Sequence, residues 1–514
     1  MQELLTLIEI VRKKGQRSIQ LVNQNFRKKE ISKDNQLYEG IIAGKFLSDE
    51  EAADDMFGSD PGNRNYRNAK GKLRQKLLNH LYFLDYEKNI YTSYEKCEYQ
   101  CRHALHQCKI LIREGAEDIA IRILPQLIKD AQQYEFVDIA LQAMEILRDQ
   151  YAASGKTTPF FEMQDEINAY RQFKNTVLEC EEKFQTRMVY INKSISAQNR
   201  VVGDMPKVIQ HIQKQAETYK SKRLDILGKR LQLIFHTLNW EFEKSVELCT
   251  ALEKKYLSRS YHDIDVGLDK KEIAFQKLYA YFFLKDVKAG AAYAEKNMQL
   301  FKDGTKEWFN FVEYYFLLLM RSEKYKKAGD LFRKVRTNKN YNTLEEMDKE
   351  RWQIYRAYLV FVNDSKLLKW GFDIDGFLQA IPDYPKEYNG LNIATLVIQF
   401  LYLLREGEVD EVRKRVDNIQ QYSSTHLDKR HNYRNSIFIR MMGIVTEKDF
   451  DIDLVQEKGQ NYYKKLVRNQ IPGDLQNDVE VISYETLWQY VLNILKTNKR
   501  YVHYRFYNME VMER

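Results

Sequence analysis

Cysteine and histidine side chains crowd one segment of this sequence, at Cys97, Cys101, His103, His106 and Cys108. These residue types are the usual protein ligands of zinc. If the segment is helical, a rotation of about 100° per residue puts the three cysteines on one face and the two histidines on another. Because one ion cannot reach both faces, we expect the cysteines to pack in the core as small apolar residues. We predict no metal and no other cofactor for this chain.

A second segment imitates a phosphate-binding loop. The run Ser154-Gly155-Lys156-Thr157 matches the end of such a loop, but the earlier glycine that the loop requires is replaced by Gln150. The residues before it have the apolar spacing of a helix rather than of the strand that a phosphate-binding loop follows. Gly155 is therefore predicted to lie just after the C-terminus of a helix.

Aspartate-rich segments point to helix starts rather than to metal binding. The run from Asp449 to Asp453 begins as a calcium loop does, but its sixth position, which requires glycine, is Leu454. We predict helix capping for the tripeptide Asp-Ile-Asp, which occurs at 263–265, 373–375 and 451–453. The carboxylates between Asp49 and Asp55 follow Ser48, which forms a capping-box pattern with Glu51. No catalytic residue is indicated, although an enzyme whose active site is built from distant residues stays an alternative.

One local excess of positive charge lies between Pro61 and His80, where no acidic residue occurs. The cations are Arg64, Arg67, Lys70, Lys72, Arg74 and Lys76. On a helical wheel the apolar face consists of Tyr66, Ala69, Leu73, Leu77 and Leu81. The cations on the remaining surface are candidates for contact with nucleic acid, DNA or RNA, or with an acidic partner. The alternatives are a solvated basic face and a helix that docks on another protein.

The order of elements around this helix resembles a known family. A short helix from Asp49 to Gly58, a turn, and then a basic helix with Tyr66, Leu73 and Leu77 is similar to the winged-helix segment of bacterial helix-turn-helix activators. That resemblance implies DNA binding by the N-terminal region, followed by tetratricopeptide-type domains.

Helices are predicted over most of the chain from the 3.6-residue spacing of apolar residues. Before residue 91 we expect two helices ahead of residue 30, a third from Asp34 to Phe46, a short one after Ser48 and the basic helix from about 64 to 84. The later predicted helices are 93–114, 117–132, 136–154, 159–196, 205–218, 221–238, 240–257, 269–285, 287–302, 306–321, 324–336, 345–362, 390–405, 408–420, 427–445, 453–467 and 483–497.

A spacing of 0, +3, +7 and +10 recurs on several of these helices and is typical of stacked helical hairpins. The residues predicted to form this repeat packing are Phe242, Cys249, Tyr325, Ala328, Phe332, Val409, Val412 and Val416. Their segments are separated by one or two units of roughly 40 residues. The run from Arg321 to Phe332 resembles the turn and second helix of the tetratricopeptide repeat family. This resemblance implies a concave groove for a peptide or a partner helix and implies no catalysis.

Composition fits a folded, cytoplasmic protein. The chain has 514 residues with a net charge of +8, and only 7 prolines and 21 glycines, which are too few for a turn-rich all-β fold. Five scattered cysteines argue against a disulfide framework and for a reducing compartment. The most apolar runs are short and interrupted by polar residues, so we expect no membrane span and no membrane partner.

These observations predict an all-α fold, a solenoid of stacked antiparallel helical hairpins of tetratricopeptide type with a small N-terminal helical domain. We expect domains at 1–90, 91–480 and 481–514, the last being a capping helix and a basic, aromatic tail that either packs on that helix or stacks on nucleobases. The favoured function is a non-enzymatic scaffold or adaptor that binds a protein or peptide, with Trp308, Tyr314 and Tyr315 in its groove. The alternative is a nucleic-acid-binding regulator whose repeats sense a signal or oligomerise.

Overall fold

The computed structural model confirms the all-α class. It describes residues 1, 4, 5, 8, 32–46, 48–81, 86, 91–193, 195–258, 265–284, 286–363, 372–379, 389–426, 433–468 and 480–501. Within these ranges the regular elements are α-helices and short 3-10 helices, and no strand occurs. None of the helices in these ranges is both long enough and apolar enough to span a lipid bilayer.

In the described part of the chain before residue 194, seven helices have defined bounds. They are α1 (Lys33–Ile42), α2 (Asp49–Phe57), α3 (Arg64–His80), α4 (Ser93–Arg113), α5 (Glu117–Gln133), α6 (Val137–Ala153) and α7 (Thr157–Lys193). The predicted helix from Asp34 to Phe46 is too long, because Gly44 has a φ of 71° and belongs to the turn that follows α1. The two helices predicted before residue 30 lie almost entirely outside the described residues.

The remaining helices follow the predicted positions closely. They are α8 (Ile195–Val202), α9 (Met205–Tyr219), α10 (Lys222–Leu238), α11 (Phe242–Tyr256), α12 (Lys270–Phe283), α13 (Val287–Asn297), α14 (Lys306–Arg321), α15 (Tyr325–Arg336), α16 (Glu346–Val362), α17 (Ile374–Gln379), α18 (Asn389–Glu406), α19 (Val409–His426), α20 (Tyr433–Glu447), α21 (Ile452–Arg468) and α22 (Tyr484–Thr497). The short helices α8 and α17 were not predicted. The predicted stretch 427–432 and the tail after Tyr501 lie outside the described residues.

Consecutive helices are joined by one recurrent turn. A residue with positive φ follows the helix in nine of the described turns, namely Gly44, Gly115, Glu135, Gly155, Lys220, Trp240, Glu323, Gly407 and Asp449. In each, the next residue donates its N–H to a carbonyl five residues earlier, at 2.8 to 3.2 Å, which is the Schellman closure of a helix end. This confirms the predicted place of Gly155 and shows that most helices after residue 92 are linked as tight hairpins.

The chain divides into two compact units. The first comprises residues 1–201, 207–228 and 256–267, and the second comprises 202–206, 229–255 and 268–514. These units do not coincide with the predicted domains 1–90, 91–480 and 481–514, which stay predictions. Within the first unit, α1 to α3 nevertheless have an apolar core of their own, which includes Leu37, Tyr66 and Leu77, while α4 to α7 surround a separate cluster.

The second unit has the larger core, and all the predicted packing residues except Cys249 contribute to it. Phe242, Cys249, Ala328, Phe332, Val412 and Val416 are buried, and Tyr325 and Val409 are half-buried against the same cluster. Equivalent helix ends also contact each other: Arg321 donates to the carbonyl of Phe282 at 2.9 Å, and Arg405 donates to that of Phe361 at 3.3 Å. These pairs are 39 and 44 residues apart. The repeat of roughly 40 residues and the tetratricopeptide-type solenoid stay predictions.

Candidate nucleic-acid interface

The short helix α2 and the basic helix α3 have well-defined ends. Ser48 Oγ accepts the N–H of Glu51 at 3.1 Å and Glu51 Oε2 accepts the N–H of Ser48 at 3.3 Å, so the predicted capping box is confirmed. Gly58 ends α2 in the left-handed conformation, with a φ of 57°. Asn63 then caps α3 by accepting the N–H of Asn65 at 2.8 Å.

The predicted apolar face of α3 is the face that packs inward. Tyr66, Ala69, Leu73 and Leu77 are buried, and Tyr66 meets Phe57 of α2 edge to face at 6.5 Å between ring centroids. Because this face is committed to the core of α1 to α3, the opposite face of α3 is fixed toward solvent.

Asp49, at the start of α2, connects α2 to α3. Its carboxylate accepts hydrogen bonds from Lys70 Nζ at 2.8 and 3.0 Å and from the hydroxyl of Tyr66. Burial opposes ionisation, but hydrogen bonds from Lys70, the Met1 amine and Tyr66 outweigh it and hold the pKa of Asp49 well below its usual range. Burial, and then the hydrogen bond to the same carboxylate, raise the pKa of Tyr66.

Lys76 has a similar structural partner. It donates to Asp34 of α1, and although burial opposes ionisation of Asp34, this contact lowers the pKa of that carboxyl. Lys70 and Lys76 were both predicted to contact a nucleic acid or an acidic partner. The structure instead places them at the flanks of α3, where they join helices within the unit.

The other four predicted cations stand on the outer surface. Arg64, Arg67, Lys72 and Arg74 are exposed, and among the described residues no carboxylate pairs with Arg64, Arg67 or Lys72. A 100° rotation per residue places Arg64, Arg67 and Arg74 within about 60° of Gly71, with Lys72 at about 100°. The exposed residues Asn68 and Gln75 lie in the same stripe. We call the set Arg64, Arg67, Asn68, Gly71, Lys72, Arg74 and Gln75 the α3 outer face.

Gly71 lies at the centre of this face without a structural reason for being glycine. A Cβ atom added there would meet no atom within 4 Å, and its φ is not in the left-handed region. Glycine inside a helix costs about 1 kcal/mol relative to alanine. A glycine inside a helix that relieves no crowding within the protein is typical of a position where another molecule approaches the backbone closely.

The chemistry of the α3 outer face suits a polyanion with patterned edges. Guanidinium and ammonium groups bind phosphate oxygens, while asparagine, glutamine and arginine donate to and accept from base edges. Sequence reasoning identified the cations through the absence of acids. It missed Gly71, Asn68 and Gln75, whose signal was their position opposite the apolar face.

The residues predicted to line a groove lie elsewhere. Trp308 is 1% exposed and Tyr315 is 5% exposed. From Phe311 to Arg321, every residue of α14 is buried except Tyr314, which is half-buried. Trp308 and Tyr315 are therefore core residues, which corrects their placement on an open surface.

The other candidate ligand residues lie on separate helix faces, at a helix start or in an ion pair. Cys101 and Cys108 are buried whereas His106 is exposed, so cysteines and histidines occupy different faces as predicted. Asp451 caps α21 through the N–H groups of Asp453 and Leu454. Asp265 does not cap the next helix as predicted, since Asp269 does so and Asp265 pairs with Lys222 at 2.8 Å.

A buried ion-pair network lies in the second unit. Arg434 of α20 donates from Nε to Glu480 at 2.9 Å and from Nη2 to Glu480 at 2.7 Å and Glu485 at 2.6 Å. Its Nη1 donates to the carbonyl of Leu466 at 2.6 Å. The side chains of Arg434 and Glu480 are both 1% exposed, whereas that of Glu485 is 25% exposed. The network joins α20, α21 and α22 through one buried arginine.

No protein-family model matches this sequence, and no curated protein matches it. The function therefore has to be inferred from the residues of the chain itself.

Proposed function

We propose that this protein binds double-stranded DNA through the α3 outer face. The observation that carries the proposal is a solvent-facing stripe in which arginine, lysine and amide side chains surround an unexplained glycine. Arg64, Arg67 and Lys72 have no carboxylate partner in the described chain, so their charge is available to phosphate groups.

The shape of a single exposed helix favours duplex DNA over duplex RNA. The major groove of B-form DNA is about 12 Å wide and accepts an α-helix with its side chains. The major groove of A-form RNA is too narrow and deep for one. A glycine at the centre of the helix surface allows that helix to lie closer to the groove floor.

Two kinds of contact are expected within the α3 outer face. Arg64, Arg67, Lys72 and Arg74 supply charge, and each phosphate contact releases counterions and makes binding weaker as salt increases. Asn68 and Gln75 carry amides that can pair with base edges.

The helical hairpins of both units would then serve sensing or assembly, as the resemblance to regulators implies. The protein-binding scaffold stays a prediction. We favour it less than DNA binding, because two of the three residues named for its groove, Trp308 and Tyr315, lie in the core. Among the described surfaces, the α3 outer face is the one whose side-chain chemistry best indicates the class of its partner.

The test is a binding titration of the full-length chain against a fluorescently labelled DNA duplex of mixed sequence, read by anisotropy. The test variant carries Arg64→Glu, Arg67→Glu, Lys72→Glu and Arg74→Glu. A matched control reverses four exposed lysines elsewhere, Lys207, Lys214, Lys326 and Lys339, so that net charge is equal in both variants.

We expect the wild type and the control to bind with similar affinity and the α3 variant to lose binding by at least a factor of about 10³, since four phosphate contacts are removed. Circular dichroism should show equal helix content in all three proteins. Equal affinity of the α3 variant and the control would overturn the proposal. Preference for an RNA duplex of the same sequence would overturn the choice of DNA.

A further inference from the structure

Two cysteines of α4 lie within reach of each other in the first unit. Cys97 and Cys101 are one helical turn apart, and their Sγ atoms are 3.8 Å apart, in a thiol–thiol hydrogen bond. Cys97 is half-buried and Cys101 is 3% exposed. Cys97 is therefore the partly exposed residue of the pair, and Cys101 is the covered one.

The two sulfurs differ in their readiness to ionise. The hydrogen bond from Cys101 lowers the pKa of Cys97, against the opposing effects of burial and of Asp130. The same hydrogen bond, with burial, raises the pKa of Cys101. These directions make Cys97 the thiol of the pair that ionises more readily.

The other three cysteines provide a contrast within the same molecule. Cys108, Cys180 and Cys249 have fully buried side chains, and burial raises the pKa of each, to about 11 for Cys180 and about 12 for Cys249. In the part of the chain that the structure describes, no second thiol lies within hydrogen-bonding distance of any of them. They should react slowly with electrophiles and oxidants.

We propose that Cys97 and Cys101 form a dithiol site that is oxidised by hydroperoxides. The Cys97 thiolate attacks the terminal oxygen of the peroxide, the O–O bond breaks, and the other oxygen leaves as an alcohol or as water after taking a proton. Cys97 becomes a sulfenic acid. The Cys101 sulfur then attacks the Cys97 sulfur, its proton combines with the departing hydroxide to form water, and a disulfide remains. The two electrons that reduce the peroxide come from the two thiols.

The helix geometry allows this second step with local adjustment. Residues four apart on an α-helix have Cα atoms about 6.2 Å apart, which lies inside the range of about 4.4 to 6.8 Å found for disulfides. The sulfurs must approach from 3.8 Å to a bond length of about 2.05 Å. Rotation of both side chains and a small change in the first turns of α4 supply that movement. The inference does not depend on DNA binding.

The experiment treats the reduced full-length protein with hydrogen peroxide, blocks remaining thiols with N-ethylmaleimide, and analyses a tryptic digest by mass spectrometry. Cleavage after Lys96 and Arg102 releases Cys97–Arg102, which contains both thiols and no other cysteine. We expect the mass of this peptide to fall by two hydrogen atoms and both of its cysteines to escape alkylation. Its free thiols should disappear at least about tenfold faster than those of the peptides that contain Cys108, Cys180 and Cys249.

Two variants separate the roles of the sulfurs. In Cys101→Ser, Cys97 should stop at a sulfenic acid that dimedone captures, and in Cys97→Ser, Cys101 should stay reduced over the same time. A wild-type peptide that keeps both thiols, or that oxidises no faster than the buried cysteines, would overturn the proposal. So would equal oxidation of Cys101 in Cys97→Ser.

Discussion

Arginines at two places in this molecule carry the same charge but differ in whether carboxylates of the chain pair with them. Arg434, inside the second unit, is 1% exposed and uses its guanidinium on Glu480, Glu485 and a backbone carbonyl. Arg64 and Arg67, on the α3 outer face, are exposed and have no carboxylate partner in the described chain. A cation whose partners lie within the chain is structural, and one that lacks them is available to another molecule.

The basic helix α15 shows that the number of cations alone does not separate these cases. Lys327 of α15 pairs with Glu295 at 2.9 Å, Lys334 lies over the ring of Trp308 at 5.2 Å, and Arg336 lies over the ring of Tyr341 at 4.6 Å. Both α3 and α15 are basic and amphipathic. Only α3 joins uncompensated charge to an exposed glycine, which is why we place the interface there.

The largest effect is expected where a buried partner is lost. Replacing Arg434 by methionine leaves the Glu480 carboxylate buried without its cation, and we expect the second unit to lose about 3 to 5 kcal/mol of unfolding free energy. The tryptophans of the described residues, at 240, 308, 352 and 488, belong to that unit, so urea unfolding followed by tryptophan fluorescence reports on it.

Arg440→Met is the matched control, because Arg440 lies on the same helix, is half-exposed and pairs with Glu447 at the surface. It should change stability by less than about 0.5 kcal/mol. Adding Glu480→Gln to Arg434→Met should recover part of the loss. Equal stability of the Arg434 and Arg440 variants would contradict the structural role that we assign to Arg434.

The next effect concerns the carboxylates that hold α3 in place. Asp49 and Asp34 have pKa values lowered by folding, so the unfolded state binds more protons in the acid range. Their contribution to stability is complete above the unfolded aspartate pKa of about 3.9 and is lost as the pH falls through the lower, folded values. The helices α1 to α3 should therefore lose protection in this acid window.

Hydrogen exchange of peptides from residues 33–80 measures that loss, with wild type and Asp49→Asn compared at each pH. We expect the variant to be less protected than the wild type near neutral pH, because the contact with Lys70 is weakened, and the difference to shrink in acid. A constant difference at all pH values would show that Asp49 does not act through its charge.

A smaller effect is expected at Gly71. Alanine there should stabilise α3 by up to about 1 kcal/mol and slow exchange in peptides from residues 64–80. Gly71→Leu should weaken DNA binding by about tenfold, because added bulk is forced into the contact, whereas Gln107→Leu on α4 should leave binding unchanged. Unchanged DNA affinity of the Gly71→Leu protein would mean that the DNA does not approach the helix at this point.

The smallest effect on stability is expected at Arg67. Arg67→Ala removes an exposed side chain without an internal partner, so unfolding free energy should change by less than about 0.5 kcal/mol while DNA affinity falls. The same protein preparation can be used for exchange and for anisotropy. A destabilisation comparable to that of Arg434→Met would show that Arg67 is structural.

Sequence periodicity was sufficient to place nearly all the helices and the buried face of α3, since both depend on residues three or four positions apart. It was not sufficient for contacts between distant residues, such as Asp49 with Lys70 or Arg434 with Glu480. It also missed the left-handed turn residues Glu135 and Lys220, because only glycine signals that conformation in a sequence.

The aromatic residues of α14 were assigned to a groove for a related reason. Amphipathic spacing tells which residues face a neighbouring helix, but Trp308 and Tyr315 belong to a helix surrounded on nearly all sides, and the number of neighbours is not encoded locally. The residues of the candidate site lie on one helix, so its cations could be predicted from the sequence.

The most direct test of the central claim is the salt dependence of duplex DNA binding by the wild type and by the variant with glutamate at positions 64, 67, 72 and 74. Each phosphate contact contributes about 0.9 to the slope of log Kobs against log salt concentration. The account predicts a wild-type slope steeper than that of the variant by about 3 to 4. The same slope for both proteins would show that the α3 outer face does not contact DNA.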